Sequence, residues 1–517
     1  MANIQVNNLT FSYDNHVDNI FENASFNLDT DWKLGFVARN GRGKTTFFNL
    51  LMGKYEYGGT IKSNVRFQYF PVPVPYDKEE LTAMELMEEA FPDREFWMVC
   101  RELTLLSMDA DILYRQYRTL SYGERTRVML GWLFAGDNQF LLLDEPTNHL
   151  DSDSKETVKE YLRRKKGFIL VSHDRDVLDA CIDHVLVINK CSIEVYQGNF
   201  TSWYENKERQ DRYETEKNES LKRDINRLSS AAANVKAWAD HAESTKIGFD
   251  PVKEHDRFIS TRSYIGEKSR KMQARRKDIE GRINREIDEK KGLLKNIEEV
   301  RDLKLYCETF HKNVLIRAGK LAFGYEGRTI CDNIDFEVKN GDRLALCGGN
   351  GSGKSTLLKL IMNELISETK ESDEDDMAGK AEIFAGELSV CKGMKVSYVA
   401  QSAKNLKGTL EDYAKEHNLD YSIFLAVLRQ LDFGREQFDK RIEDYSEGQK
   451  KKVSIAGSLC ERAHLYIWDE PFNYIDVFSR MQIEKLILTF KPTMIIVEHD
   501  STFIEKVSTE KIFLKTQ

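Results

Sequence analysis

Four short motifs occur twice along the 517-residue chain, in the same order. The pairs are "ARNGRGKTT" (38–46) and "GGNGSGKST" (348–356), "LSYGE" (120–124) and "YSEGQ" (445–449), "LLLDEP" (141–146) and "YIWDEP" (466–471), and "VSHD" (171–174) and "VEHD" (497–500). In each half, 24 residues separate the serine of the second motif from the glutamate of the third. Because matched order and spacing indicate a duplicated unit, we expect two copies of one domain.

Composition limits the class of protein further. With 41% apolar and 31% charged residues the chain is expected to be globular, and its length exceeds what one core supports. Apolar runs such as "FLLL" are the size of strands, the start lacks a secretory signal, and the eight cysteines form no CxxC pair. We therefore expect a cytoplasmic protein without a membrane domain. The net charge of −9 argues weakly against nucleic acid but hides local asymmetry.

The first repeated motif has the residues of a phosphate-binding loop. An apolar strand, a glycine-rich turn and a helix follow one another in both halves, so backbone amides and the helix N-terminus would face phosphates. Lys44 and Lys354 would neutralise the outer phosphates, while Thr45 and Ser355 would offer hydroxyls to Mg²⁺. The other predicted ATP-binding residues of these loops are Asn40, Gly41, Gly43, Thr46, Asn350, Gly351, Gly353 and Thr356.

The third and fourth motifs supply the groups for hydrolysis. Each "DEP" follows an apolar strand, which suits an aspartate that holds the magnesium shell and a glutamate that polarises the attacking water. These residues are Asp144 and Glu145 in the first half and Asp469 and Glu470 in the second. A histidine also follows a strand in each half, and a lone histidine is usually structural. Two at matched positions, His173 and His499, favour a contact with the γ-phosphate.

These motifs resemble those of the ABC ATPase family over nearly the whole of both halves. The resemblance implies a head-to-tail sandwich in which ATP lies between the phosphate loop of one half and the "LSxGx" signature of the other. The Lys44 site would then include Ser446 and Gly448, and the Lys354 site would include Ser121, Gly123 and Gln401. Tyr13 and Tyr325 stand where the family stacks an aromatic ring on adenine, although either alone would more often be a packed strand residue.

The two halves match the family unequally. "VSYVAQ" supplies Gln401, which the family uses to link magnesium to the rest of the domain, whereas "FQYFPV" places Val72 there. The first loop begins with Ala38 instead of glycine, and its signature carries Tyr122 and Glu124. We expect both sites to bind ATP, with the Lys44 site the less well adapted.

A helical linker is predicted between the halves. The apolar positions from Leu221 step by four and three residues, as in a coiled coil, and a second helical pattern begins near 264. Gly248 and Pro251 break the helix between them, which indicates an antiparallel hairpin with its tip near 245–262. The predicted fold is α/β, with two tandem ATPase domains joined by this hairpin. Its domains are 1–205, 206–310 and 311–517.

Charge and aromatic residues on the linker suggest a contact with RNA. Lys and Arg dominate between Arg262 and Arg285, and such a run is usually only a solvated helix face. On a projecting arm it favours phosphate contacts, for which we select Arg270, Lys271, Arg275 and Arg276. Phe249 and Phe258 flank the turn and are candidates for a contact made by the linker tip. Alternatively, they only close the hairpin on each other.

Tandem ATPase halves with a long charged linker resemble the ABC-F family of ribosome-associated ATPases. Members lack membrane domains, bind the tRNA exit site and send the linker toward P-site tRNA and the large-subunit rRNA of the peptidyl-transferase centre. The short segment between Val72 and Leu120, and a chain end near that of the second ATPase half, resemble the antibiotic-resistance branch. That branch protects ribosomes against lincosamide, streptogramin A and pleuromutilin drugs. The resemblance implies ATP and Mg²⁺ as cofactors and a monomer with an intramolecular sandwich.

Three other functions remain open. The first is a housekeeping ABC-F translation factor, although many of those insert an extra helical arm for which this chain has little room between Val72 and Leu120. The ATPase subunit of a transporter with a separate membrane partner would explain the ATPase halves but not a basic hairpin between them. A DNA-associated ATPase is disfavoured, because those proteins usually interrupt an ATPase half with their coiled coil or carry zinc-binding cysteines.

Overall fold

A computed structural model gives the architecture of the chain. The structure describes residues 3–13, 19–39, 41–148, 150–189, 192–244, 260–292, 305–325, 328–349, 351–366, 381–403, 406–431, 433–434 and 437–514. The chain divides into two compact units. One comprises Met1–Trp203 with Arg301–Gln517, and the other is Tyr204–Val300. The first unit contains both repeated halves.

Within its described residues, the first half contains two sheets and six α-helices. A three-stranded antiparallel sheet has the order β2-β1-β4, and a six-stranded sheet has the order β5-β6-β7-β3-β8-β9, parallel except for β9. The strands are β1 (Asn3–Phe11), β2 (Phe21–Asp29), β3 (Lys33–Val37), β4 (Gly58–Lys62), β5 (Arg66–Phe70), β6 (Gln139–Asp144), β7 (Phe168–Val171), β8 (His184–Asn189) and β9 (Ser192–Gln197). The helices are α1 (Lys44–Leu51), α2 (Ala83–Ala90), α3 (Phe96–Leu105), α4 (Tyr122–Phe134), α5 (Ser152–Arg164) and α6 (Arg175–Cys181).

The second half repeats this plan. Its antiparallel sheet has the order β11-β10-β13, and its parallel sheet has the order β14-β15-β16-β12-β17. The strands are β10 (Val314–Tyr325), β11 (Arg328–Lys339), β12 (Arg343–Cys347), β13 (Ala381–Val390), β14 (Val396–Val399), β15 (Leu465–Asp469), β16 (Met494–Val497) and β17 (Glu510–Phe513). The helices are α9 (Lys354–Ile366), α10 (Leu410–Glu416), α11 (Tyr421–Gln430), α12 (Glu447–Cys460), α13 (Val477–Phe490) and α14 (Ser501–Val507). The expected duplicated α/β fold is therefore confirmed.

Continuous apolar runs form the central strands of both parallel sheets. Every residue of β7, β15 and β16 is buried, as a parallel sheet covered on both faces requires. Leu305 and Phe310 are buried in the cores of the second half, so the last residues of the predicted 206–310 segment pack with that half.

Two long helices form most of the linker unit. They are α7 (Phe200–Ser244, 45 residues), whose first turn belongs to the first half, and α8 (Ser260–Gly292, 33 residues). Leu221, Ile225 and Leu228 are half-buried along α7, and Ile287 of α8 is buried, as a helical seam requires. An ion pair of 2.7 Å joins Lys290 Nζ to Asp224 Oδ2. Phe249 and Phe258 lie outside the described residues.

No helix in the described part of the chain is long and apolar enough to cross a membrane.

Candidate nucleotide-binding sites

Strand order brings the repeated motifs together. In the first half β6, β7 and β3 are parallel neighbours, and in the second half β15, β16 and β12 are. Residues that follow such strands meet at one edge of the sheet, where α/β proteins bind ligands. Lys44, Glu145 and His173 converge for this reason, as do their counterparts Lys354, Glu470 and His499.

Glycine is required just before each lysine. Gly43 has φ 92° and Gly353 has φ 89°, in the left-handed region that side chains disfavour. A Cβ at Gly43 would lie 2.6 Å from Ile20 Cγ2, and one at Gly353 would lie 2.9 Å from Ile330 Cγ2. Both loops are therefore closed to any larger residue, and the helices α1 and α9 begin directly after them.

Each loop lysine folds back onto its own loop. Lys44 Nζ donates to the carbonyl of Ala38 at 2.9 Å, and Lys354 Nζ donates to Gly348 and Gly349, both at 2.8 Å. Burial lowers the pKa of both lysines, although nearby carboxylates oppose the shift. A phosphate would supply the negative charge that the carbonyls only partly provide.

The Lys44 cavity is built from both halves. Its volume is about 670 Å³, which is within the range of ordinary ligand-binding clefts. The first half lines it with Tyr13, Gly41, Gly43, Lys44, Thr45, Thr46, Glu145 and His173. The second half contributes Phe433, Ser446, Gly448, Gln449, Lys452 and Tyr474. The structure thus places the predicted signature residues Ser446 and Gly448 opposite the loop of the other half.

The Lys354 cavity has a volume of about 560 Å³. The second half lines it with Tyr325, Gly351, Gly353, Lys354, Ser355, Thr356, Gln401, Glu470 and His499, and the first half contributes Asn148, Leu150 and Lys155 among others. Ser121 and Gly123 are not among its described lining residues. A Cβ at Gly123 would lie 3.6 Å from Leu150 Cδ2, so the first signature lies one residue away from this cavity.

The two tyrosines predicted to stack on adenine are hydrogen-bonded to threonines of the helices that follow the phosphate-binding loops. The hydroxyl groups of Tyr13 and Thr46 lie 2.9 Å apart, and those of Tyr325 and Thr356 lie 3.2 Å apart. Asn40 and Asn350 are outside the described residues.

Both signature serines are helix N-caps. Ser446 accepts a hydrogen bond from the Gln449 amide at 3.3 Å and donates its own amide to Gln449 Oε1 at 3.0 Å, which forms a capping box for α12. Ser121 caps α4 in the same way with Glu124, which also pairs with Arg115 at 2.9 Å. The unusual Glu124 therefore keeps the cap but adds a negative charge.

Glu145 is half-buried, and its Oε1 atom is shielded from solvent. Its φ of 52° is left-handed, and its amide donates to the carbonyl of Val171 at 3.0 Å. Burial raises the pKa of Glu145 to about 8, helped by Asp144 and opposed by Lys44. The Nε2 of His173 lies 3.2 Å from Glu145 Oε1. Burial and Lys44 lower the pKa of His173 well below its usual range, so this histidine is neutral.

Glu470 has the same backbone conformation, with φ 45°, but different partners. The Nδ2 of Asn473 donates to Glu470 Oε2 at 2.9 Å, and His499 Nε2 lies 3.6 Å from Oε1. Burial alone would raise the pKa of Glu470, but contacts with His499, Gln401 and Asn473 lower it to about 2. The second glutamate is therefore the one whose ionised form the protein stabilises.

Strand register places Val72 at the position of Gln401. Phe70 pairs with Leu143, one residue before Asp144, and Val399 pairs with Trp468, one residue before Asp469. Val72 and Gln401 each come two residues after the paired strand residue. In the first half the aspartate instead receives the hydroxyl of Tyr69, which donates to Asp144 Oδ2 at 2.9 Å.

The residues of the Lys354 site fit a magnesium ion. Asp469 Oδ1 is buried and has no hydrogen-bond partner, and burial raises the pKa of this carboxyl. Ser355 and Gln401 line the same cavity. Among the described residues, no group of three or more His, Cys, Asp or Glu side chains is placed to hold a metal ion. The small set of Asp469, Ser355 and Gln401 suits Mg²⁺, which is usually held by one or two protein groups together with substrate phosphates.

In the first site Thr45 donates to Asp144 Oδ2 at 3.5 Å, so the same oxygen already accepts from both Thr45 and Tyr69. This aspartate therefore has less free capacity for a metal than Asp469.

Buried charges connect the two halves. Lys155 pairs with Asp174 and donates to the carbonyl of His499 at 3.0 Å, and Arg175 pairs with Glu484. Arg480 is held within the second half by the carbonyls of Phe472 and Ile475, at 2.8 and 2.9 Å. Burial alone would raise the pKa of Asp174 in the first half, but the charges of Lys155 and Arg480 lower it.

Sequence reasoning missed the charged residues that lie between the halves, and it also missed Tyr69, Asn473 and Lys452. Asn148 and Asn473, three residues after each glutamate, carried a signal in the repeat itself. The contacts between the halves left no signal in the sequence that could have predicted them.

Comparison with known proteins agrees with this geometry. A family profile described as "ABC transporter" matches residues 21–148 and 331–473, and the chain belongs to this family. The two matches confirm tandem ATPase domains, and the protein is an ATPase that binds ATP.

Relatives match over almost the entire chain. The ribosome protection protein VmlR of Bacillus subtilis is 25% identical over 97% of this chain and 85% of its own length. The ABC transporter F family member 2 of Arabidopsis thaliana is 24% identical over 98% of this chain and 75% of its own.

Among solved structures, the archaeal ribosome recycling factor aABCE1, in complex with the ribosomal stalk protein aP1, has a TM-score of 0.60 and 18% identity, covering 98% of this chain and 87% of that one. This likeness supports the fold.

Proposed function

We propose that this ATPase binds the ribosome and protects the peptidyl-transferase centre from lincosamide, streptogramin A and pleuromutilin antibiotics. Its interdomain linker would lie beside P-site tRNA and large-subunit rRNA, with the ATPase halves at the tRNA exit site. The observation that carries the proposal is the similarity to a ribosome protection protein over 97% of the chain, linker included. Such a protein would act in the cytoplasm, as a monomer whose halves enclose ATP and Mg²⁺ between them.

The exposed basic residues of α8 support a contact with RNA. Arg270, Lys271 and Arg275 are exposed, and arginine and lysine are the usual partners of backbone phosphates. Arg276 is half-buried and bonds Glu280 Oε1 at 3.1 Å, and Lys271 lies 3.2 Å from Glu267. Arg270 and Arg275 are therefore the better candidates for phosphate contacts.

The chain's own residues account for the ATP cycle. The loop around Lys354 would bind the phosphates, and Ser355, Gln401 and Asp469 would hold Mg²⁺, which screens the negative charge of the phosphates. Glu470 would orient and polarise the attacking water, because its carboxylate is ionised and held in place by Asn473. Ser446 and Gly448 would contact the nucleotide bound by Lys44, so ATP would draw the halves together.

A housekeeping ABC-F translation factor is the second candidate. The relatives include the Arabidopsis F family member at nearly the same identity as VmlR. Both candidates require ribosome binding, whereas the ATPase subunit of a transporter does not. Co-sedimentation with ribosomes in ATP therefore separates the first two functions from the third.

Variants of the linker distinguish protection from housekeeping. Replacing Phe249 and Phe258 with Ala should leave ATP turnover and ribosome binding intact while drug occupancy on the ribosome returns. Replacing Arg270 and Arg275 with Gln should weaken ribosome binding, and the loss should resemble that caused by added salt. Arg209 and Arg212, which are exposed on α7, give a control with the same charge change. The protection function is wrong if the parent protein leaves drug occupancy and growth in these drugs unchanged.

A further inference from the structure

A buried lysine on the second signature helix is not explained by the motifs. Lys451 lies on α12 and is only 2% exposed. Its ammonium group donates to three backbone carbonyls: those of Ala400 at 2.7 Å, Gln401 at 3.1 Å and Asp469 at 3.2 Å. A buried ammonium group is stable only when its donors are used. Here three acceptors are available for its three N–H groups.

These carbonyls belong to the elements that support the Lys354 site. Ala400 and Gln401 follow β14, and Asp469 ends the neighbouring strand β15. The side chain of Gln401 lines the Lys354 cavity, and Asp469 presents an unpartnered buried oxygen. Lys451 therefore fixes the backbone of two residues whose side chains would hold the metal.

The N-terminus of α12, the helix that carries Lys451, lies at the other ATP site. Ser446 caps α12, and Ser446 and Gly448 line the Lys44 cavity. Five residues separate Ser446 from Lys451, a distance of about 7.5 Å along a helix. A short, rigid segment thus connects the backbone at Gln401 with the signature at the opposite site.

The first half lacks this connection. Counted from the signature serine, Thr126 stands where Lys451 does, and Val72 stands where Gln401 does. Thr126 is also buried, at 3% exposure, but its side chain is too short to reach across to a neighbouring loop as lysine does. The next residue is basic in both halves, Arg127 and Lys452, so the difference is specific to this position.

We propose that Lys451 is a positioning residue that couples the two ATP sites, because it links Gln401 and Asp469 at the Lys354 site with Ser446 and Gly448 at the Lys44 site. Binding of metal and nucleotide beside Gln401 moves the backbone that Lys451 holds, and α12 carries this movement to the signature. The inference rests on the proposed metal role of Gln401 and the nucleotide role of Ser446. It does not depend on ribosome binding or drug protection.

The test compares Lys451→Met with the neighbouring Lys450→Met in the full-length protein without ribosomes. Affinity for a fluorescent ATP analogue is measured once with Mg²⁺ and once with EDTA. The affinity with Mg²⁺ divided by that with EDTA should fall about three- to tenfold in Lys451→Met, since the hydrogen bonds of the ammonium group to the backbone are lost. Lys450→Met should keep the parent ratio. A Gln401→Ala background should abolish the effect of Lys451→Met, because both changes act on the same loop.

A second measurement addresses the coupling between the two sites. In the parent, disabling the Lys354 site by Lys354→Ala should change nucleotide affinity at the Lys44 site, and Lys451→Met should remove that dependence. Lys451→Gln keeps a hydrogen-bond donor and most of the side-chain volume, so its effect should lie between those of the parent and Lys451→Met. If Lys451→Met does not fold, Lys451→Gln is used in its place. The proposal is overturned if either folded variant matches Lys450→Met in both measurements, or if it lowers thermal stability alone. Retained coupling with lost ribosome binding would instead count only against the proposed function.

Discussion

Lys155 of the first half donates its ammonium group to the backbone carbonyl of His499 in the second half, at 3.0 Å. The same ammonium group pairs with Asp174, the residue that follows His173. One side chain therefore contacts the loops of both predicted γ-phosphate histidines. The half-buried ammonium group of Lys155 therefore links the two loops directly.

Removal of this cation should weaken the joint between the halves. Replacing Lys155 with Met leaves Asp174 without its ion pair close to Asp500, and breaking one partner of a buried pair costs on the order of 3 kcal/mol. We expect a lower thermal midpoint and slower ATP turnover, and Lys155→Arg should restore both in part. Arg163→Met, on the exposed face of the same helix, is the control. A midpoint equal to that of the control would show that the contact carries no stability.

The two glutamates should be needed for hydrolysis but not for binding. Replacing Glu145 and Glu470 together with Gln keeps their shape and removes the base. The double variant should bind ATP with the parent affinity and hydrolyse it at least about 100-fold more slowly. Fluorescent nucleotide titration and phosphate release measure the two properties separately. Hydrolysis at the parent rate would exclude these glutamates from the reaction.

The single variants should differ. Glu470 receives a hydrogen bond from Asn473 and interacts with Gln401, whereas Val72 cannot offer the first site a comparable oxygen. Glu470→Gln should therefore lower steady-state turnover more than Glu145→Gln. Equal losses at saturating ATP would count against an unequal pair of sites.

A buried carboxylate far from the nucleotide should give the first half a pH-dependent stability. Glu102 is 1% exposed, accepts from Tyr161 at 2.7 Å and pairs with Lys165 and Arg101. Burial alone would raise the pKa of Glu102, but these partners lower it. Its stabilising contribution is therefore complete above the unfolded pKa, near 4.3, and is lost as pH falls through the native value.

The matching experiment uses Glu102→Gln, which should lower the free energy of unfolding by about 1 to 3 kcal/mol at pH 7. Urea unfolding should give a constant difference down to about pH 5 and a shrinking one below about pH 4.3. Glu160→Gln, on the exposed side of α5, should show neither effect. A difference that does not change with pH would mean that Glu102 acts through packing alone.

The repeated motifs were enough to predict the duplicated fold, because phosphate binding demands specific residues at specific points along strands and helices. Gly43 and Gly353 illustrate this, since no other residue fits there. The alignment of Val72 with Gln401 also followed from the sequence, because each lies at a fixed distance from the end of a strand.

Other features depend on how the halves meet and were not predictable. The contact of Lys155 with His499 joins residues 344 positions apart, and no periodicity encodes it. Likewise, the motifs alone place Ser121 and Gly123 at the Lys354 site, whereas Leu150 occupies the described lining beside them. Lys451 was overlooked because a lysine in a charged helix is normally solvated. Only its burial and three carbonyl partners distinguish it.

The joint between the halves contains the ion pair Arg175–Glu484 and the hydrogen bond from Lys155 to the His499 carbonyl. When charged groups separate, water replaces their partners, whereas separated apolar faces invite unrelated proteins to adhere. These parts of the joint can therefore open in a crowded cell without becoming adhesive. An ATPase whose halves separate to release ADP on each cycle would then expose polar rather than apolar surface at these contacts.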